Sequence, residues 1–172
     1  TAKILYTIYI GMTLFQIILL LIGRIPLFDT LCISFGTAGT GGFGIVNDSM
    51  GSYSTYCQVV TTIFMILFGV NFSAYYLLLT KKFVQAFKFE EVRYYFGIIL
   101  AAILVIGLNT AHLFRNLGEA FQQAAFQVGS IITTTGFSST DFSQWPSLAK
   151  TILVLLMFVG ACAGSTGGGI KV

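Results

Sequence analysis

Two stretches of this chain are built from residues whose chemistry lies in their backbone. They read Thr37-Ala38-Gly39-Thr40-Gly41-Gly42-Phe43-Gly44 and Ile132-Thr133-Thr134-Thr135-Gly136-Phe137-Ser138. Glycine opens conformations closed to other residues, so successive carbonyls can be turned towards one line. Such a run of oxygens replaces the hydration shell of a monovalent cation, as the T-V-G-Y-G loop does in potassium filters. Thr40-Gly41-Gly42-Phe43-Gly44 fits that template closely and Thr134-Thr135-Gly136-Phe137-Ser138 more loosely. The expected ligands are the main-chain oxygens of Thr40, Gly41, Gly42, Phe43, Thr134, Thr135, Gly136 and Phe137, with K⁺ as the ion. Taken alone, either loop also reads as a surface turn, since Gly and Thr are common there. Recurrence of the loop at the same place after two similar short helices favours the ion-binding reading.

A third stretch, Gly160-Ala161-Cys162-Ala163-Gly164-Ser165-Thr166-Gly167-Gly168-Gly169, holds five glycines in ten residues. Each glycine inside a helix costs about 1 kcal/mol relative to alanine, so a regular helix is not expected here. Broken backbone at membrane depth is confined to cavities, which predicts an unwound loop lining a pore below the filter and serving as its gate. The competing reading is a small-residue packing face through Gly160, Gly164 and Gly168.

Other patterns carry less. Residues 39–44 satisfy G-x-G-x-x-G, but no strand is expected before them, no helix after them, and no acid follows about 20 positions on, so a dinucleotide site is rejected. The 164–171 stretch lacks the G-K-[ST] of a phosphate loop. Cys32, Cys57 and Cys162 are odd in number and far apart, which supports neither a metal site nor a disulfide framework. With one histidine, His112, and acids outside the apolar stretches, no nucleophile and base can be assembled, so no enzyme and no cofactor are expected. Asn71 falls inside an apolar stretch and is expected to hydrogen-bond between helices. A net charge of +3 without a basic stripe excludes nucleic acid as a partner.

The elements that must position these loops follow from composition. Of 172 residues, 56% are hydrophobic and 9% charged, with mean hydropathy +0.88; soluble domains carry about 25% charged residues. Membrane lipid is therefore the expected surroundings. Residues 4–23, 51–80, 94–113 and 151–170 each reach the ~20 residues of a bilayer-crossing helix, predicting four spans. Lys81, Lys82, Lys88, Arg93 and Lys3 outnumber Arg24, Arg115 and Lys150, which places the 81–93 linker in the cytoplasm. Between spans, Pro26-Leu27 and Glu119 each open a run too short to cross, read as a re-entrant half-helix with an acid near its start. Shifting the sequence by 94 residues lays Thr40, Gly42 and Phe43 on Thr134, Gly136 and Phe137. The expected fold is thus an all-α membrane protein, potassium-channel-like, in which residues 1–80 and 94–172 each form a span, pore helix, filter loop and span. The second of these units ends in the glycine-rich loop.

With these motifs in hand, the chain resembles the Trk/Ktr potassium transporter superfamily, and most of all its TrkH-type subunits. The resemblance rests on residues 132–137, Trp145-Pro146 and the 160–171 stretch for one repeat, and on Pro26-Leu27-Phe28-Asp29 with residues 40–43 for the one before it. It implies four such repeats around one pore, conduction of K⁺ and in some members Na⁺, a homodimer, and a cytoplasmic nucleotide-binding regulatory subunit. It matches the filter glycine to Gly42 and Gly136 and the intramembrane gate to residues 160–169. The chain is then expected to be two repeats of a longer protein of the bacterial inner membrane, completed by the remaining repeats.

Overall fold

The structure, a computed structural model, describes residues 2–81 and 89–171. Residues 82–88, most of the linker expected to be cytoplasmic, lie outside the described residues. The described residues form seven α-helices, α1 (Ala2–Ile22), α2 (Leu27–Ala38), α3 (Thr55–Phe68), α4 (Phe72–Leu79), α5 (Glu90–Thr110), α6 (Leu117–Ile132) and α7 (Ser147–Val159). Two single 3-10 turns, Ala111–Leu113 and Phe142–Gln144, complete them, and no strand occurs among the described residues.

Helices α1 and α5, 21 residues each, are long and apolar enough to cross a membrane, because 1.5 Å per residue brings them to roughly 30 Å. Most of the α1 surface is bare of protein, exposing Ile10, Leu14, Phe15, Ile18 and Ile22. In water that would be a liability; against lipid tails it is a matched solvent. The acids Glu90 and Glu91 sit in the first turn of α5, where the helix dipole favours negative charge.

The short helices are set by their starts. Pro26, at φ −53, precedes α2, and Asp29 lies in its first turn. Helix α6 follows Asn116 and has Glu119 in the same place. Both run slightly further than their sequence signals suggest, to Ala38 and Ile132. The two units interlock: Phe126 and Phe137 of the second are buried in the aromatic cluster of the first, beside Phe64, Phe68 and Phe72.

One expected span is corrected, and the break expected in another is present. Residues 51–80 do not form one helix: α3 and α4 meet at a 91° bend. The cause is local, since Gly69 ends α3 and Asn71 caps α4 by accepting from the Ser73 N–H at 2.8 Å. Asn71 also donates to Glu91 Oε2 at 3.4 Å, so its bond between helices exists, but its first role is to start a helix. Residues 151–170 are likewise not one helix: α7 stops at Val159, and 160–169 is irregular. The packing face through Gly160, Gly164 and Gly168 therefore does not form. Ile170 N–H donates to Phe158 O at 3.1 Å and Lys171 N–H to Val159 O at 3.0 Å. An unbroken helix would use residues 162 and 163 instead. The ladder of α7 thus closes over an inserted loop, with Gly160 (φ 76) and Gly169 (φ 92) at its neck. A Cβ on either would lie 2.5 Å from the other strand of the neck.

The broken end of α3 leaves carbonyls that water cannot serve at membrane depth. All find donors. Tyr95 donates to Ile66 O at 3.0 Å, Tyr75 to Leu67 O at 2.7 Å, Thr166 N–H and Oγ1 to Phe68 O, and Cys162 N–H to Gly69 O at 3.1 Å. In return Gly164 O accepts the Phe72 N–H at 3.2 Å.

This packing makes Gly69 irreplaceable, because an added Cβ would lie 2.2 Å from Tyr95 Oη. We expect Gly69→Ala to lower stability by about 1–3 kcal/mol through overpacking. Gly97→Ala, where nothing lies within 4 Å, should be neutral or stabilising by up to about 1 kcal/mol. Thermal unfolding of the purified variants checks the contrast.

Candidate functional site

The two loops singled out by sequence leave the ends of α2 and α6 in the same way. The N–H groups of Gly39 and Thr133 close the last helical turn, those of Thr40 and Thr134 bond three residues back, and those of Gly41 and Thr135 reach five residues back to Gly36 O and Ser130 O. Thr40 and Thr134 then take left-handed φ values of 51 and 57, and Gly42 and Gly136 values of 68 and 90. A left-handed threonine costs roughly 1–2 kcal/mol. The same strain at two positions 94 residues apart points to a conformation that the loops need.

Strain is matched by unused hydrogen-bonding capacity. Among the described residues no donor reaches the carbonyl oxygens of Thr40, Gly41, Gly42, Phe43, Thr134, Thr135 or Gly136. Phe137 differs, since its carbonyl accepts from Ser130 Oγ at 2.6 Å. Thr135 is buried, Thr40, Gly42 and Thr134 are half-buried, and Gly41, Phe43 and Gly136 are exposed, so these oxygens are open to a partner other than protein. The carbonyl ends of α2 and α6 adjoin it and add negative potential.

The loops also touch. A Cβ on Gly42 would sit 1.8 Å from Thr135 O, whereas one on Gly136 meets nothing within 4 Å. The loops are further tied by Met50 N–H donating to Ser138 O at 2.7 Å and Ser138 N–H to Ser49 Oγ at 3.2 Å. The ring of Phe137 is buried and would lie 3.1 Å from a Cβ on Gly36. Its counterpart Phe43 is 86% exposed.

The glycine-rich stretch lies directly against this pair. Ala161, Cys162 and Gly167 are buried, Ala163 is half-buried, and Ser165 Oγ closes a turn on Cys162 O at 2.6 Å. Thr40 Oγ1 donates to Thr166 O at 3.2 Å, and Gly168 N–H donates to Thr134 Oγ1 at 2.7 Å. The neck residues Gly160 and Gly169 and the anchor at Gly164 hold the loop in place from the other side. The two predicted loops and the 160–169 stretch thus lie against one another.

Sequence reasoning missed two supports. Gln58, within α3, accepts from Gln122 and Gln123 at 3.0 and 3.2 Å and donates to Met50 O at 3.0 Å, joining α3 to α6 beside a polar cleft of about 540 Å³. A glutamine in an apolar stretch was the available signal. The second is Tyr53, whose hydroxyl donates to Asp29 Oδ2 at 2.8 Å and ties the 45–54 segment to the start of α2. Burial and that bond push the Tyr53 phenol up to about 12. Asp141 is held below the usual carboxylate range by accepting from Ser143, and no comparable role near the loops attaches to it. His112 lies exposed in the turn after α5.

Comparison with known proteins places this geometry. The family described as TrkH, cation transport protein, matches residues 1–172. The Trk system potassium uptake protein TrkH of Vibrio parahaemolyticus is 33% identical over 178 residues, covering all of this chain and 37% of the relative. The Trk system potassium uptake protein TrkG of Escherichia coli is 29% identical over 174 residues, covering 99% and 36%. A crystal structure of the potassium transporter TrkH from Vibrio parahaemolyticus superposes with a TM-score of 0.92 at 34% identity, over 99% of this chain and 38% of that one. The chain therefore spans a little over a third of the length of these relatives.

Two outcomes follow from the geometry. Gly42→Ala should destabilise more than Gly136→Ala: both are strained by about 1–2 kcal/mol at positive φ, but only the first meets backbone. Comparative thermal unfolding reads the order. Tyr53 has a folded pKa above its unfolded value of 10, so the stability it adds is complete below pH 10 and fades as pH rises towards about 12. Tyr53→Phe should flatten stability against pH across that window.

Proposed function

The chain belongs to the TrkH family of cation transport proteins, and from that premise we propose that it supplies half of a K⁺ pathway through a bacterial inner membrane. Carbonyls of Thr40, Gly41, Gly42 and Phe43, with those of Thr134, Thr135 and Gly136, take over the hydration of the ion. The observation that carries this reading is that these oxygens lack a protein donor while lying in two loops of matched left-handed backbone. Exposed carbonyls at membrane depth are stable only against protein, water or a cation. Residues 160–169, bonded to the same loops, act as the gate.

Each of residues 1–80 and 94–172 is one pore-forming unit in this reading. Two loops cannot surround an ion, so further units of the same kind complete the ring. The exposed ring of Phe43 supports this, since its counterpart Phe137 is covered by the neighbouring short helix. A homodimer and a cytoplasmic nucleotide-binding regulatory subunit are the partners the family resemblance supplies, and K⁺, or in some relatives Na⁺, is cargo rather than cofactor.

Reconstitution of the protein at its natural length into vesicles, with ⁸⁶Rb⁺ uptake as the readout, tests the proposal. Gly136→Val should reduce discrimination of K⁺ over Na⁺ roughly tenfold, about 1.4 kcal/mol of differential binding. Removing residues 166–168 should raise uptake in the resting state. Normal selectivity in the first variant would remove the filter assignment, and unchanged uptake in the second would remove the gate.

A further inference from the structure

The region where the 160–169 loop meets the candidate filter contains a feature that the ion pathway itself does not require. Thr40 and Thr134 occupy equivalent places in the two units, and both are left-handed, at φ 51 and 57. Each spends its hydroxyl on the glycine-rich loop: Thr40 Oγ1 donates to Thr166 O at 3.2 Å, and Thr134 Oγ1 accepts the Gly168 N–H at 2.7 Å while donating to Thr133 O at 2.7 Å. One unit holds the loop by a carbonyl and the other by an N–H two residues later.

We infer that Thr40 and Thr134 are positioning residues whose hydroxyls latch the glycine-rich loop to the filter backbone, so that the gate opens only with a change at the innermost filter residues. This rests on the transport reading above and adds to it a coupling between filter and gate.

The loop has two sets of attachments. One set runs to the broken end of α3 and the start of α4, through Phe68 O, Gly69 O and Phe72 N–H. The other consists of the two threonine hydroxyls. The first set satisfies backbone groups that would otherwise be orphaned at membrane depth, which makes it the fixed side. The second set pairs two side-chain hydroxyls with Thr166 O and the Gly168 N–H of the loop, and its loss leaves the carbonyls of α3 fully paired. It is the side that releases. The approach is close: a Cβ on Gly167 would lie 2.5 Å from the Ala161 Cβ and 3.1 Å from Thr133 O, and one on Gly168 3.1 Å from Thr134 Oγ1, so glycine at both places is what lets the loop reach the filter backbone.

The test uses the natural-length protein with Thr134→Val, which keeps shape and β-branching but removes the hydroxyl, and Thr134→Ser, which restores it. Basal ⁸⁶Rb⁺ uptake is measured in the intact background and in one lacking residues 166–168. A latch predicts uptake at least threefold higher for Thr134→Val than for Thr134→Ser in the intact background, and no difference between the two once the loop segment is gone. An equal change in both backgrounds would mean that the hydroxyl serves the ion and not the loop, and would overturn the inference. Amide hydrogen exchange over residues 162–169 in detergent provides a reading independent of transport. It should quicken in Thr134→Val and not in Thr134→Ser, and unchanged exchange overturns the latch. Absence of uptake in the wild type would sink the transport reading, while the exchange experiment would still decide the contact.

Discussion

Lipid offers the membrane-embedded parts of this chain no hydrogen bonds, so backbone donors and acceptors there must find partners within the protein. That constraint explains the least regular parts of the molecule. Gly69 and Asn71 break the second apolar stretch and release the carbonyls of residues 66–69. The glycine-rich loop, inserted in the α7 ladder some ninety residues later, returns N–H groups and a hydroxyl to that break. Tyr75 and Tyr95 serve the remaining two oxygens. Neither irregularity is tolerable alone, and each supplies what the other lacks.

Seen against that economy, the oxygens left without donors stand out. They fall in two loops that leave their helices by the same hydrogen bonds and pass through the same left-handed positions. At membrane depth such carbonyls need a partner of another kind, and in the proposed function that partner is a dehydrated cation. The short helices end at these loops, so their dipoles act in the same direction as the carbonyls. Selectivity and gating, in this reading, are two uses of one backbone accounting.

Much of this was legible in the residues. Pro26 with Asp29, and Glu119, announced the short helices, and the 94-residue repeat of Thr40, Gly42 and Phe43 announced the loops. The glycine density of residues 160–169 excluded a helix there. What could not be read was long-range. Gly69 looks like any glycine in an apolar run, because what forbids a side chain there is the distant Tyr95, whose Oη would lie 2.2 Å from a Cβ. Gln58 and Tyr53 carry no periodic signal and gain their roles only from partners on α6 and α2. Phe43 and Phe137 share one motif position yet differ in burial, since burial depends on the neighbour and not on the motif.

The central claim is that these donor-free oxygens hold a bare monovalent cation. Crystals of the natural-length protein grown with Tl⁺, an anomalous scatterer of K⁺-like size, address it directly. The account predicts anomalous density coordinated by the carbonyls of residues 40–43 and 134–136. Those same oxygens occupied by protein donors or ordinary water, with no ion between the loops, would contradict it.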